Sequence, residues 1–290
     1  MINYEDELNG AQLDAVRYLD GPSLVIAGAG SGKTRVLTYK IAYLLENGFE
    51  PWSILALTFT NKAANEMKER IARQVGDRAR YLWMGTFHSI FSRILRIESQ
   101  SIGFSPNFTI YDSADSKSLL KSIIKEMQLD DKVYKPGMVQ SRISQAKNRL
   151  ILPDAYALDG SIYRSDVEAK VPAMRDIYRR YWERCRQSDA MDFDDILLFM
   201  NILLRDNPDI CRHYREFLRF ILVDEYQDTN DIGDYLVSLI SKNNVYMVGD
   251  IKQSIYRFRN ADSSLLRTEV ARHFTVTQND GAVSYNWRSM

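Results

Sequence analysis

Long apolar runs are missing from this chain of 290 residues. None approaches the roughly 20 consecutive residues that a helix needs to cross a bilayer, which excludes a membrane-spanning role at this level. Cysteine is nearly absent. Cys185 and Cys211 are the only two, and they follow no metal-ligand spacing, which excludes a disulfide framework and a zinc site and points to a reducing compartment. The start of the chain carries Glu5, Asp6 and Glu7 in place of a basic leader, so the sequence reads as cytoplasmic. Net charge is missing as well, with 38 Lys and Arg against 38 Asp and Glu. Bulk charge therefore advertises no nucleic-acid partner, and only its distribution could. No repeat or low-complexity tract is present. With 45% apolar residues the chain is able to bury a full core, as one large or two ordinary domains.

What is there begins with short apolar runs separated by longer helical patterns. Ser23 to Ala27, Ile54 to Thr58, Tyr81 to Gly85, Phe220 to Val223 and Val245 to Gly249 look like buried parallel strands. Lys33 to Glu46, Lys62 to Gln74 and Phe87 to Glu98 suit right-handed crossovers between them. The expected fold class is α/β, a doubly wound parallel sheet. The interval from about Ser101 to Met191 lacks strong strand runs and offers amphipathic segments near Ser113 to Met127, Gly137 to Leu150 and Val167 to Gln187. Pro106, Pro136, Pro153 and Gly160 punctuate it as helix breakers. The expectation is an inserted helical subdomain over residues 101–190, within an α/β domain made of 1–100 and 191–290.

The chemistry starts at Ala27-Gly28-Ala29-Gly30-Ser31-Gly32-Lys33-Thr34, which follows an apolar run and opens a helical pattern. Glycines let consecutive backbone N–H groups of Ala29, Gly30, Ser31 and Gly32 point at one anion. The helix N-terminus adds its dipole, Lys33 a formal charge and Thr34 a hydroxyl for Mg2+. Ala27 occupies the first position of the usual G-x4-G-K-S/T pattern. A second element is Ile221 to Asp228, an apolar strand that ends in two adjacent acids where a sheet places catalytic groups. Asp224 is the candidate metal-associated acid and Glu225 the candidate general base. From Lys62 to Arg96 there are eight basic and three acidic side chains, an excess that reads either as a binding patch or as a solvated face. Asp192, Asp194 and Asp195 precede an apolar helix, where capping and packing are favoured over metal binding.

These blocks, in this order, resemble the UvrD, Rep and PcrA group of superfamily 1A DNA helicases. The resemblance rests on Leu8-Asn9 with Gln12, Ala27 to Thr34, Thr58 to Ala64, Gly85 to Ser89, Asp192 to Asp195, Val223 to Asn230, Gly249 to Arg259 and Asn286 to Ser289. It implies a RecA-like ATP-binding domain (1A) with an inserted subdomain (1B), ATP and Mg2+ as cofactors, and single-stranded DNA and duplex junctions as partners. It also implies 3′ to 5′ movement, a part in DNA repair and a monomeric protein.

By the same resemblance Gln12 reads adenine, and Arg35 and Trp287 pack on the base. An amide suits two edges of adenine, while an indole face and a guanidinium plane stack on it. Gln253 corresponds to the γ-phosphate sensor and Arg288 to an arginine on the same phosphate. Phe59, His88, Tyr256 and Phe258 fall in blocks that line the single-strand path, as do Thr60, Asn61, Thr86 and Arg259. Aromatic faces stack any base, and hydroxyls reach phosphates. For each aromatic, and for His88, core packing is the alternative.

Phe258 stands where Trp is usual, and Lys252 to Arg259 is also similar to the AddA and RecB recombination helicases. Trp287 stands where Tyr is usual. The chain ends at Met290, where the family's second motor domain would begin, so that domain is expected to be absent and to be a partner of this one. Two other classes stay open: a P-loop kinase for a small acceptor, and a nucleotide-gated DNA-binding module without useful hydrolysis.

Overall fold

A computed structural model describes residues 2–26, 28 and 32–250, and the backbone of 274–279 and 282–287. The chain divides into two compact units, residues 1–90 with 208–290, and residues 91–207.

The first unit is built on a seven-stranded sheet. Its strands are β1 (Ser23–Ile26), β2 (Ile54–Thr58), β3 (Trp83–Thr86), β6 (Phe220–Val223), β7 (Val245–Gly249), β8 (Phe274–Asn279) and β9 (Ala282–Trp287), in the order β3-β2-β6-β7-β1-β9-β8. The five from β3 to β1 are mutually parallel, and β9 runs antiparallel to β1 and β8. The fold is thus mixed α/β with a mostly parallel sheet, as the apolar runs implied. β2 and β6 are buried throughout, which is why they read as continuous apolar stretches and not as alternation.

The helix Lys33–Glu46 turns Val36, Leu37, Ile41, Leu44 and Leu45 into a core that includes Ile54, Ala56, Leu222, Tyr246 and Val248. Each fully buried side chain of this kind contributes about 1.5–3 kcal/mol. Lys40, on the same helix, is also fully buried. Its ammonium donates to the carbonyls of Val16 (3.0 Å) and Tyr18 and lies over the rings of Phe220 and Tyr246. Burial pulls its pKa down from the usual lysine value to about 7.

The second unit is mostly helical, with helices Ser113–Glu126, Pro136–Asn148, Pro153–Leu158, Gly160–Glu168, Met174–Gln187 and Phe193–Asp206. Proline opens two of them at the position where no N–H is needed. Side chains of Asp112, Asp159 and Asp192 cap three others. A feature not expected from the sequence is a two-stranded parallel sheet, β4 (Thr109–Tyr111) against β5 (Ala190–Asp192). Three residues are too few to carry a periodicity. The unit's core gathers Leu120, Ile123, Ile143, Tyr178 and Tyr181 around Cys185. Both cysteines are free and buried, and burial pushes the Cys185 thiol up to about 12, far from a reactive thiolate.

Of the three aspartates, Asp192 caps the helix Phe193–Asp206 and Asp195 closes the capping box, while Asp194 accepts from the Asn148 amide at 3.0 Å. Asp192 accepts from the Asp195 N–H at 2.9 Å, and Asp195 returns the bond to the Asp192 N–H at 3.0 Å. The sequence did not show their partner, the buried Lys147, whose Nζ is 2.6 Å from Asp192 and 2.7 Å from Asp195. Among the described residues no cluster of His, Cys, Asp and Glu has the makings of a metal site by itself, and no helix is long and apolar enough to cross a membrane.

Candidate functional site

In a parallel sheet all strands end at one edge, and side chains that follow those ends converge there. Lys33 follows β1, Phe59 and Thr60 follow β2, Phe87 and His88 follow β3, Asp224 and Glu225 follow β6, and Asp250 follows β7. Residues nearly 200 positions apart are thereby brought into one group within the first unit.

Gly32 precedes the helix with φ +83°, a left-handed conformation that glycine adopts without strain. A β-carbon there would also stand 3.0 Å from Gln12 Nε2. Gln12 therefore lies beside Gly32, at the end of the segment expected to bind phosphate. Its Oε1 accepts from the Asn9 N–H at 3.1 Å and its own N–H donates to Asn9 at 2.9 Å, a capping box. Arg35 is exposed on the next turn, where it pairs with Glu7 at 2.6 Å and lies over the Tyr39 ring. Thr34 is half-buried, and its carbonyl accepts from the Thr38 hydroxyl.

Lys33 is 9% exposed. Its Nζ is 3.5 Å from Glu225 Oε2 and 4.0 Å from Asp250 Oδ2. Asp224 is more deeply buried, and its Oδ1 accepts the Glu225 N–H at 3.0 Å. Glu225 takes a left-handed backbone (φ 50°) as the strand gives way to the 3-10 turn Tyr226–Asp228. Burial, and next the Glu225 charge, push the Asp224 carboxyl up to about 6. The same two causes act on Asp228, also to about 6, and its Oδ1 is buried with no hydrogen-bond partner among the described residues.

Glu225 and Asp250 thus lie within 4.0 Å of the Lys33 ammonium, and its charge also acts on the Asp224 and Asp228 carboxyls. Removing charge from water without compensation is costly, and a divalent cation is the compensation that hard oxygen donors favour. Among the described residues the carboxylates do not form a metal site by themselves, and Asp224 and the Thr34 hydroxyl are the groups that the resemblance would assign to Mg2+.

Among the residues expected to face DNA, Thr60 and Thr86 serve first as helix caps. Thr60 Oγ1 accepts from the Ala63 N–H at 3.1 Å, and Thr86 Oγ1 from the Ser89 N–H at 3.2 Å. A hydroxyl used as an acceptor keeps its proton to donate. Asn61, the first residue of the helix Asn61–Val75, is exposed, while Phe59 and His88 are half-buried. The register pairs Thr58 with Thr86, so the β2 and β3 groups emerge side by side. Ala29, Gly30, Ser31, Gln253, Tyr256, Phe258, Arg259 and Arg288 lie outside the described residues. Of Trp287 only the backbone is described, paired in β9 with Phe274. Sequence reasoning passed over Gln227 and Asp250, although the Asp-Glu-x-Gln spacing and the end of the Val245 to Gly249 run were the signals for them.

Residues 8–273 match the model of the UvrD/REP helicase N-terminal domain. The chain is 44% identical over 260 residues to the ATP-dependent DNA helicase PcrA of Staphylococcus aureus (strain Mu50), a stretch covering 89% of this chain and 35% of that protein. It is 43% identical over 258 residues to the PcrA helicase of Staphylococcus epidermidis (strain RP62A), covering 88% and 35%. The matched stretch is about a third of the length of these relatives. The match over residues 8–273, carried by a mostly parallel sheet with Lys33 opposite the acids that end β6, places the chain in the family of UvrD/REP helicase N-terminal domains.

Proposed function

We propose that this chain is the ATP-binding, single-strand-gripping portion of a DNA helicase that moves 3′ to 5′. The observation that carries the reading is Lys33, nine-tenths buried at a helix start and facing Glu225, with Asp224 beside it at the end of β6. Lys33 and the backbone of Ala29 to Gly32 bind the phosphates of ATP, Gln12 reads the adenine edge, and Arg35 and Trp287 pack on its faces. Thr34 and Asp224 hold Mg2+, which when bound neutralises phosphate charge. Glu225 orients and deprotonates the attacking water, and Gln253 and Arg288 attend the γ-phosphate.

Single-stranded DNA crosses the strand-end edge on Phe59, Thr60, Asn61, Thr86 and His88, and Tyr256, Phe258 and Arg259 bind it as well. Stacking and phosphate contacts make this grip tolerant of sequence. The sequence divides functionally into domain 1A (1–100 and 191–290) and domain 1B (101–190). Strand separation belongs to a protein of the relatives' length, with C-terminal motor domains, acting as a monomer at duplex junctions in the cytoplasm. The 290 residues alone bind nucleotide and DNA and hydrolyse slowly.

The test is phosphate release with and without single-stranded DNA, beside titration of Mg-ATP. Binding that is lost in Lys33→Ala, with release that DNA stimulates, supports the reading. Equal affinity in wild type and Lys33→Ala overturns it.

A further inference from the structure

Gln227 has no part in the chemistry above, yet its side-chain amide is engaged at both ends. It is 2% exposed. Its Nε2 donates to Glu225 Oε2, and its Oε1 accepts the backbone N–H of Asp250 at 2.8 Å. The two partners follow β6 and β7, which are neighbouring parallel strands. The left-handed turn at Glu225 and the 3-10 turn after it bring the glutamine back over the carboxylate two residues earlier. Lys33 touches the same two residues, at 3.5 Å from Glu225 and 4.0 Å from Asp250. Lys33, Glu225, Gln227 and Asp250 therefore form a closed ring of polar contacts, with one cation and one neutral bridge.

The ring has an asymmetry that matters. A phosphate arriving at Lys33 competes with both carboxylates for the ammonium, since charge-assisted bonds to phosphate are among the strong ones. The cationic side of the ring then opens, and the Gln227 amide still ties Glu225 to Asp250. An amide offers donor and acceptor on one rigid plane, so rotation of the Glu225 carboxylate is transmitted to whatever the amide oxygen holds. Here that is the main chain itself, one residue after β7.

We propose that Gln227 is a positioning residue that fastens the Glu225 carboxylate to the backbone of Asp250 and so passes the occupancy of the nucleotide site to the chain that follows β7. The inference deepens the proposed function and rests on it, because Ile251 to Arg259 carries three of the side chains assigned there to DNA. Occupancy of one site biases affinity at another only through a free-energy difference that both share, and this bridge supplies a physical link.

The experiment uses the 290-residue chain and a fluorescein-labelled oligodeoxythymidine, with dissociation constants measured with and without saturating Mg-ATPγS. The wild-type ratio is expected to differ from one by about fivefold or more. Gln227→Glu keeps the acceptor for Asp250 but sets a carboxylate against Glu225, and its ratio should fall to near one. The double variant Glu225→Gln with Gln227→Glu restores a donor and an acceptor with reversed polarity, and its ratio should recover, which a merely structural glutamine would not produce. Gln227→Met, neutral and of similar length, loses both bonds and should behave like Gln227→Glu. It carries the test if the charged variant does not fold. A wild type that binds neither ligand overturns the reading of the site before any variant is made. A wild type that binds both overturns the bridge alone if its ratio is one, if Gln227→Met keeps the wild-type ratio, or if the double variant fails to recover it.

Discussion

Lys33 Nζ lies 3.5 Å from Glu225 Oε2, so the ammonium assigned to phosphate is already held by the carboxylate assigned to water. Nucleotide binding must break that pair. Glu225→Gln removes one of the charges competing for Lys33 and relieves Asp224 of its charged neighbour. Mg-ATP is therefore expected to bind Glu225→Gln several-fold more tightly than wild type, on the order of 1 kcal/mol for one charge-assisted contact, while phosphate release stops. Calorimetric titration checks this, and weaker binding would mean that Glu225 helps to hold the nucleotide.

A second prediction concerns the helical unit. Lys147 is fully buried between Asp192 and Asp195, and the Tyr181 hydroxyl also donates to Asp192 at 2.9 Å. Removing one partner from such a group leaves unpaired buried charge, so Lys147→Met should cost about 3–5 kcal/mol in chemical denaturation. The cost should depend on pH. Burial, and next the Asp192 charge, hold the Asp195 carboxyl up to about 7, above its unfolded value. The folded state thus binds the extra proton between about pH 4 and 7, and stability from this group falls as pH rises through that window. Without Lys147 the two carboxylates repel with no cation between them, and the fall steepens. The gap between wild type and Lys147→Met should be wider at pH 8 than at pH 5.5. A gap that narrows would contradict the buried-pair account.

How much of this was legible in the sequence follows from what each feature needs. β2, β6 and β7 were readable because strands buried on both faces are apolar without interruption, and the aspartates at 192 and 195 because a cap announces itself three residues before its partner. β4 is three residues with two exposed, so its pairing with β5 depends on the fold and not on its own pattern. Asp159 ends the helix Pro153–Leu158 and caps the next one, and a single residue in both roles hides a boundary. Lys147 and Lys40 look like surface charges in a helical pattern, and only tertiary packing buries them. In the site, Lys33, Asp224 and Glu225 came from local motifs. The role of Gln227 as a bridge required knowing that β6 and β7 are neighbours.

Lys40 gives a third prediction, of opposite sign to Asp195. Its pKa falls to about 7 in the folded state because burial disfavours the charge. Between about pH 7 and the unfolded lysine value the unfolded chain binds more protons, so stability rises with pH over that interval. Below pH 7 both states are charged and the full cost of burial persists. Wild-type stability should climb by up to about 1.4 kcal/mol per pH unit from pH 7.5 to 9.5 through this group. Lys40→Met, which keeps the contacts with Phe220 and Tyr246, should remove that slope. Denaturant midpoints across the range decide it, and equal slopes in the two proteins would place the titration elsewhere.

The final prediction separates two uses of one hydroxyl. Thr86 Oγ1 accepts the Ser89 N–H at 3.2 Å and caps the helix Phe87–Ile97, while its proton is assigned to a DNA phosphate. Thr86→Ser preserves both uses, and Thr86→Val keeps the shape but loses both. Thr86→Asp keeps the cap, since a carboxylate also accepts from backbone N–H groups, but it sets negative charge toward the phosphate. Stability should fall by about 1 kcal/mol in Thr86→Val and stay near wild type in Thr86→Ser, while the carboxylate of Thr86→Asp, at a buried position, adds a cost of desolvation to the cap it keeps. Binding of single-stranded DNA should instead fall in both Thr86→Val and Thr86→Asp, more steeply in the second, and hold in Thr86→Ser. The log–log dependence on salt should keep a slope of about −0.7 per neutralised phosphate in wild type, Thr86→Ser and Thr86→Val, because the hydroxyl carries no charge to release a counterion. A Thr86→Asp protein that binds DNA as wild type does would show that the strand path does not cross the end of β3.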